Sequence, residues 1–128
     1  MLKLPNLQRD VKLAPFTTYQ IGGPADYFVE VHGSHELAEA VRTARSAKVP
    51  YFVLGTGANI LVTDKGFRGL VIRNRADAVK VAGHKLTAES GATVAATIEQ
   101  RQLRTRLQFA NGVLILHFPR LLCFFVLL

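Results

Sequence analysis

The segment that most restricts this chain lies near its middle. Four apolar residues, Tyr51-Phe52-Val53-Leu54, give way to Gly55-Thr56-Gly57-Ala58-Asn59, and the apolar pattern resumes at Ile60-Leu61-Val62. The first run is short, follows Pro50 and ends at a glycine, which predicts a buried strand. Two glycines in the break let the backbone curl so that successive N–H groups converge. Such a nest is an anion site suited to a pyrophosphate. Asn59 adds a side-chain donor and tolerates left-handed geometry. A Walker loop would need Gly-Lys-Ser/Thr at its end, and none stands here. A dinucleotide-binding Rossmann loop would need a third glycine and an immediate helix, whereas Ile60-Leu61-Val62 reads as strand. The loop is therefore expected between two strands, without a helix dipole. Taken alone, a Gly-x-Gly after a strand is equally compatible with an ordinary turn.

The flanking sequence supplies an architecture. Ile21-Gly22-Gly23-Pro24 predicts a turn. Asp26–Val31 predicts a strand rich in aromatic and β-branched residues. Gly33-Ser34 ends it, and Ser34 is the expected N-cap of a helix over 35–47. That helix carries Leu37, Ala40, Val41 and Ala44 at helical spacing, with Glu36 in its first turn and Arg42, Arg45 and Lys48 toward its end. Pro50 stops it. Asp64-Lys65-Gly66 predicts a tight turn, 69–73 a strand, and 78–82 with 85–89 a hairpin around Gly83-His84. A further helix is expected to begin near Thr93. The pattern is α+β or mixed α/β.

Composition excludes several classes. The chain has 128 residues, 49% apolar and 20% charged, which is globular composition for about one domain. The net charge of +7 is unevenly spread. Residues 1–99 hold 12 basic and 9 acidic residues, whereas 100–128 hold four arginines (101, 104, 106 and 120) and no acid. A mixed-sign body argues against nucleic acid and suits a weakly basic, solvated surface. One cysteine, Cys123, sits in an apolar run with no adjacent base and reads as structural. No signal-peptide pattern opens the chain, so a cytoplasmic location is expected. The run 113–128 is too short for a membrane span and is interrupted by His117, Pro119 and Arg120. A core strand pair or a peripheral membrane contact stays open there. His32, His35, His84 and His117 are scattered without metal-ligand spacing.

Three segments read together carry a resemblance. Thr17-Thr18-Tyr19-Gln20-Ile21-Gly22-Gly23-Pro24-Ala25-Asp26-Tyr27, Leu54-Gly55-Thr56-Gly57-Ala58-Asn59-Ile60-Leu61-Val62 and Gly66-Phe67-Arg68-Gly69-Leu70-Val71-Ile72 stand in this order and at matching spacing. Together they resemble the N-terminal part of UDP-N-acetylenolpyruvoylglucosamine reductases, also called UDP-N-acetylmuramate dehydrogenases. The resemblance covers about residues 14–99. It implies an incomplete α+β fold of the vanillyl-alcohol-oxidase or p-cresol methylhydroxylase (PCMH) type, with residues 1–100 as the first FAD-binding subdomain. It implies non-covalent FAD held by Gly55, Thr56, Gly57, Ala58, Asn59 and Ile60. It also implies an oxidoreductase in which NADPH reduces the flavin and the flavin passes a hydride to the enolpyruvyl group of a UDP-sugar, in peptidoglycan biosynthesis. The flavin carries that chemistry while protein supplies position and electrostatics. Many such reductases have Ser where this chain has Ala58, a loss of one hydroxyl donor.

The resemblance weakens toward the end. Gln108–Val113 still looks like the lead into the family's second flavin loop, but Leu114–Arg120 and the apolar run to Leu128 depart from it. Residues 101–128 are accordingly expected to be a divergent basic and apolar tail, as in a truncated or frame-altered product. The family's proton-donating serine, supporting glutamate and substrate-binding arginine have no counterparts at matching positions, and Glu89 and Ser90 read as strand-end polar residues. No catalytic residue and no metal ligand is nominated, and the chain alone is expected to be inactive. Other readings are a non-catalytic FAD-binding module, a non-functional remnant, or another flavin oxidase of the same fold.

Overall fold

The computed structural model describes residues 2–82 and 85–93, together with the backbone pair Val126–Leu127. The elements are β1 (Gln8–Lys12), a 3-10 turn (Ala14–Phe16), β2 (Pro24–Val31), α1 (Ser34–Ser46), β3 (Tyr51–Leu54), β4 (Ile60–Leu61), β5 (Phe67–Asn74), β6 (Val79–Ala82), β7 (Lys85–Ala88) and β8 (Val126–Leu127). The main sheet has the order β1-β2-β5-β3. β1 runs antiparallel to β2, while β2, β5 and β3 are mutually parallel. β6 and β7 form the expected hairpin, and β4 pairs with β8.

β2 and β3 flank α1 in sequence, yet they are not neighbours in the sheet. β5 lies between them, with Val71 level with both Phe28 and Phe52. A strand in that position is covered on both faces and should be continuously apolar. Leu70, Val71 and Ile72 are fully buried. The sequence expectation for this strand began at Gly69; it begins at Phe67.

The two faces of the sheet build separate cores. On one, Val29, Val31, Leu70 and Ile72 pack with Ala40 and Ala44 of α1, and Leu37 and Val41 join from the same helix. That spacing is one stripe of a 3.6-residue period, and the alanines let the helix approach the sheet closely. On the other face, Leu13, Ala25, Phe28, Leu54, Ile60, Val62 and Val71 pack beneath the 3-10 turn and the glycine loop. This second core holds the loop in place.

The ends of α1 differ from the sequence expectation. Ser34 is not the N-cap. Gly33 occupies that position in extended conformation, with no side-chain cap bond, and Ser34 is the first helical residue. The Ser34 N–H instead donates to the Glu89 carboxylate (3.3 Å), and the Glu36 carboxylate accepts from the His32 N–H (2.8 Å). A carboxylate from a distant strand end thus does part of the work that a local cap usually does. At the other end Val49 N–H bonds to Ala44 C=O and Lys48 N–H to Arg45 C=O, a Schellman closure. It places Lys48 at φ 54, a left-handed position that favours glycine. The helix expected from Thr93 onward lies outside the described residues.

Lys48→Gly should relieve that left-handed strain. After the added flexibility of the unfolded chain is subtracted, a net stabilisation of about 0.5–1 kcal/mol is expected. Urea denaturation of both chains checks it, and equal or lower stability of the variant refutes it.

Candidate functional site

The glycine loop begins where β3 ends. In parallel sheets ligands bind beyond the carboxyl ends of the strands, and Leu54, the last residue of β3, opens onto Gly55 there. The loop returns through β4 rather than through a helix, as its sequence predicts. Ile60 is buried at 5% exposure and Leu54 at 3%, so both ends are anchored in the loop-side core.

Between these anchors the loop is held by backbone. The Gly57 carbonyl accepts from the Thr18 N–H at 3.0 Å. Gly57 has φ 72, and a Cβ placed on it would run into the Phe16 carbonyl and the Thr17 Cα. Only glycine combines that dihedral with that approach. Thr17 is buried, and its hydroxyl lies 3.2 Å from the Ala14 carbonyl and 3.1 Å from the Ile21 carbonyl, tying the 3-10 turn to the turn that follows. Further along, Gly23 N–H donates to Thr63 C=O at 2.9 Å, and Gly66 N–H closes the 63–66 turn on the same carbonyl at 2.9 Å. At Gly66, φ is also 72, and the Pro24 carbonyl fills the space that a Cβ would need. The Thr17–Pro24 segment, the glycine loop and the Gly66 turn are therefore one assembly.

The six residues expected to hold a cofactor come together here. Gly55, Thr56, Gly57, Ala58, Asn59 and Ile60 line a concavity of about 240 Å³, with Phe52 and Leu54 completing it. Gly55, Thr56, Ala58 and Asn59 are exposed, Gly57 and Ile60 buried. A Cβ at Gly55 would meet nothing within 4 Å among the described residues. The N–H groups of Thr56 and Ala58 have no hydrogen-bond partner among the described residues. Free backbone donors at an exposed turn are what an anion site requires. A larger depression of about 510 Å³ lies elsewhere, along α1, lined by Lys3, Glu39, Arg42, Thr43, Ser46 and Ala47. Its mixed charges, without a convergent set of donors, mark it as a solvated helix face.

Other groups take structural places. Arg73, level with Leu54, pairs with Glu30 at 2.6 Å and stacks 4.7 Å above the Phe16 ring, which in turn stacks on Phe28 at 4.8 Å. Asn74 is buried, donates to the Ser90 hydroxyl at 2.8 Å and accepts from the Ala76 N–H at 3.1 Å. Glu89 and Ser90 thus sit at the end of β7 and serve the helix start and the β5 end, as strand-end polar residues. His84, His117 and Cys123 lie outside the described residues. Among the described residues no three of His, Cys, Asp and Glu gather as a metal site, and no helix is long and apolar enough to cross a membrane. The sequence reading missed Phe16, Thr18 and Phe52, which back or wall the loop. Thr18 at least was signalled, since it opens the segment that ends in the paired glycines.

Comparison with known proteins gives the family of the chain. The model of the FAD binding domain family matches residues 25–115, and the chain belongs to that family. The match agrees with the α+β, PCMH-type FAD-binding fold expected from sequence. Within that class the chain is similar to the N-terminal part of UDP-N-acetylenolpyruvoylglucosamine reductases. It is 34% identical to that of Clostridium novyi over 88% of this chain and 38% of the relative. It is 41% identical to that of Rubrobacter xylanophilus over 85% and 38%. A solved UDP-N-acetylenolpyruvylglucosamine reductase from Thermus caldophilus aligns with 54% of this chain and 23% of its own, at 39% identity and TM-score 0.41. The chain therefore spans under two-fifths of the length of these relatives.

Gly57→Ala should separate the loop from the 3-10 turn. Left-handed strain and the clash with Phe16 together are expected to cost about 2–4 kcal/mol, read as a lower urea midpoint. A variant as stable as the parent would show that the Phe16–Gly57 approach is not a constraint.

Proposed function

We propose that this chain is the FAD-binding portion of an NADPH-dependent UDP-N-acetylenolpyruvoylglucosamine reductase of peptidoglycan biosynthesis. The observation that carries the reading is the exposed glycine loop at the end of β3, where among the described residues the N–H groups of Thr56 and Ala58 have no partner and nothing covers Gly55. Gly55, Thr56, Gly57, Ala58, Asn59 and Ile60 would hold FAD without covalent attachment, chiefly by backbone donors to its pyrophosphate. The flavin would supply the hydride chemistry when bound. The protein's part is to fix the loop, through the Thr18–Gly57 bond and the Phe16 contact. Preformed geometry lowers the ordering cost of binding.

The reading assigns cofactor binding, not turnover, to this segment. The first FAD-binding subdomain is assigned to residues 1–100, with 101–128 as a separate segment in a cytoplasmic enzyme. NADPH and the UDP-sugar are assigned to the whole reductase.

The direct test is flavin content. The chain, incubated with excess FAD and desalted, should retain a flavin absorbance band and release FAD on denaturation. A chain that retains no flavin under these conditions refutes the assignment. Ala58→Ser restores the hydroxyl that many such reductases carry. It should tighten FAD binding about two- to tenfold, the worth of one added hydrogen bond, as measured by titration. Unchanged or weaker binding would place residue 58 outside the contact.

A further inference from the structure

The concavity at the glycine loop has two unlike walls. One is the row Gly55, Thr56, Ala58 and Asn59, exposed and polar. The other is apolar: Phe52, Leu54 and Ile60. Leu54 and Ile60 are buried and belong to the core, so the reachable apolar surface is Phe52, which is half-buried. Among the described residues β3 is the edge strand of the main sheet, with no strand beyond it. The Phe52 ring is also fixed. Phe67 packs against it at 6.4 Å between centroids, tilted by 58°, and its neighbour in register is the fully buried Val71.

Size decides how much ligand fits. Sites that enclose a whole drug-sized ligand run about 300–1,000 Å³. At about 240 Å³ this concavity falls below that range. The part that the described residues form has room for a phosphate and one attached ring.

We propose that the concavity is a half-site for one ring-bearing phosphate moiety of the nucleotide, with Phe52 as the wall on which the planar ring lies. The proposal rests on the assignment of the loop to a pyrophosphate and adds the neighbouring ring contact. A rigid aromatic face beside free N–H donors recognises a planar ring joined to a phosphate, whether adenine or flavin supplies the ring. The loop residues fix the phosphate, and Phe52 adds affinity for the ring.

The test uses the full chain and four ligands: FAD, ADP, FMN and inorganic pyrophosphate, titrated calorimetrically against the parent, Phe52→Leu and Phe52→Tyr. Phe52→Leu keeps an apolar side chain but removes the aromatic face. It should weaken FAD about five- to thirtyfold, and weaken either ADP or FMN to the same degree, leaving pyrophosphate unchanged. The ligand affected identifies the ring. Phe52→Tyr should restore ring binding. If Phe52→Leu weakens no ring-bearing ligand, or weakens pyrophosphate equally, the half-site is wrong while the loop assignment stands. If neither pyrophosphate nor FAD binds the parent, the loop assignment fails and the half-site fails with it. Melting temperatures of the two variants within a few degrees of the parent exclude a folding defect. If Phe52→Leu is unstable, failure of Phe52→Tyr to hold the ring-bearing ligand at parental affinity overturns the proposal.

Discussion

The structure depends on one close approach, that of the Gly57 backbone to the chain at Phe16–Thr18. It joins segments about forty residues apart without any side chain from the loop. The contact sits over the apolar core on the sheet face opposite α1, so the loop rests on Phe28, Val71 and Ile60 rather than on solvent. Two further backbone links, Gly23 to Thr63 and Gly66 to the same carbonyl, extend the seam. What reads in sequence as three separated motifs is physically one backbone joint. Glycines recur along it because two chains meet there at distances that leave no room for a Cβ.

The sheet makes this joint possible. Inserting β5 between β2 and β3 puts β3 at an edge among the described residues, and the loop that follows it meets the Phe16–Thr18 segment over the sheet face opposite α1. α1 covers the other face and takes no part in the loop. The helix is a packing element, and its N-terminus is met by Glu89 and Glu36, not offered to a ligand. On the proposed reading the fold would supply an anion site by a different route from a Rossmann unit, where the helix dipole contributes.

Much of this was legible in the residues. The apolar run 51–54, the helical stripe Leu37-Ala40-Val41-Ala44 and the hairpin around residues 83–84 all gave elements within one or two residues of those observed. These are local signals of periodicity and turn chemistry. The order of strands was not legible, because β5 takes its place through burial on both faces and not through any local mark. The helix start was misread for a related reason: Ser34 is a good local cap, but a carboxylate 55 residues away serves its N–H. The loop's place between two strands was legible, whereas its backing was not. Phe16 and Thr18 meet Gly57 through backbone atoms, which carry no residue-type signature. β1, at Gln8–Lys12, was also missed, since its exposed, polar pattern is that of an edge.

Charge at the site follows from the same arrangement. Arg73 stands level with Leu54, at the strand end nearest in register to the loop, and would be an obvious partner for a phosphate. It is already committed: its guanidinium meets Glu30 at 2.6 Å and lies over Phe16. Both side chains are about one-quarter to one-third exposed, so the pair is partly screened and modest in energy, on the order of 1 kcal/mol. Its effect is geometric. By stacking on Phe16 it steadies the turn whose carbonyl abuts Gly57. The loop is then left to attract an anion by amide dipoles rather than by a full positive charge. Such a site holds its ligand by fit to fixed donors, and its affinity should depend less on salt than that of an arginine clamp. That is a suitable arrangement for a cofactor meant to stay bound.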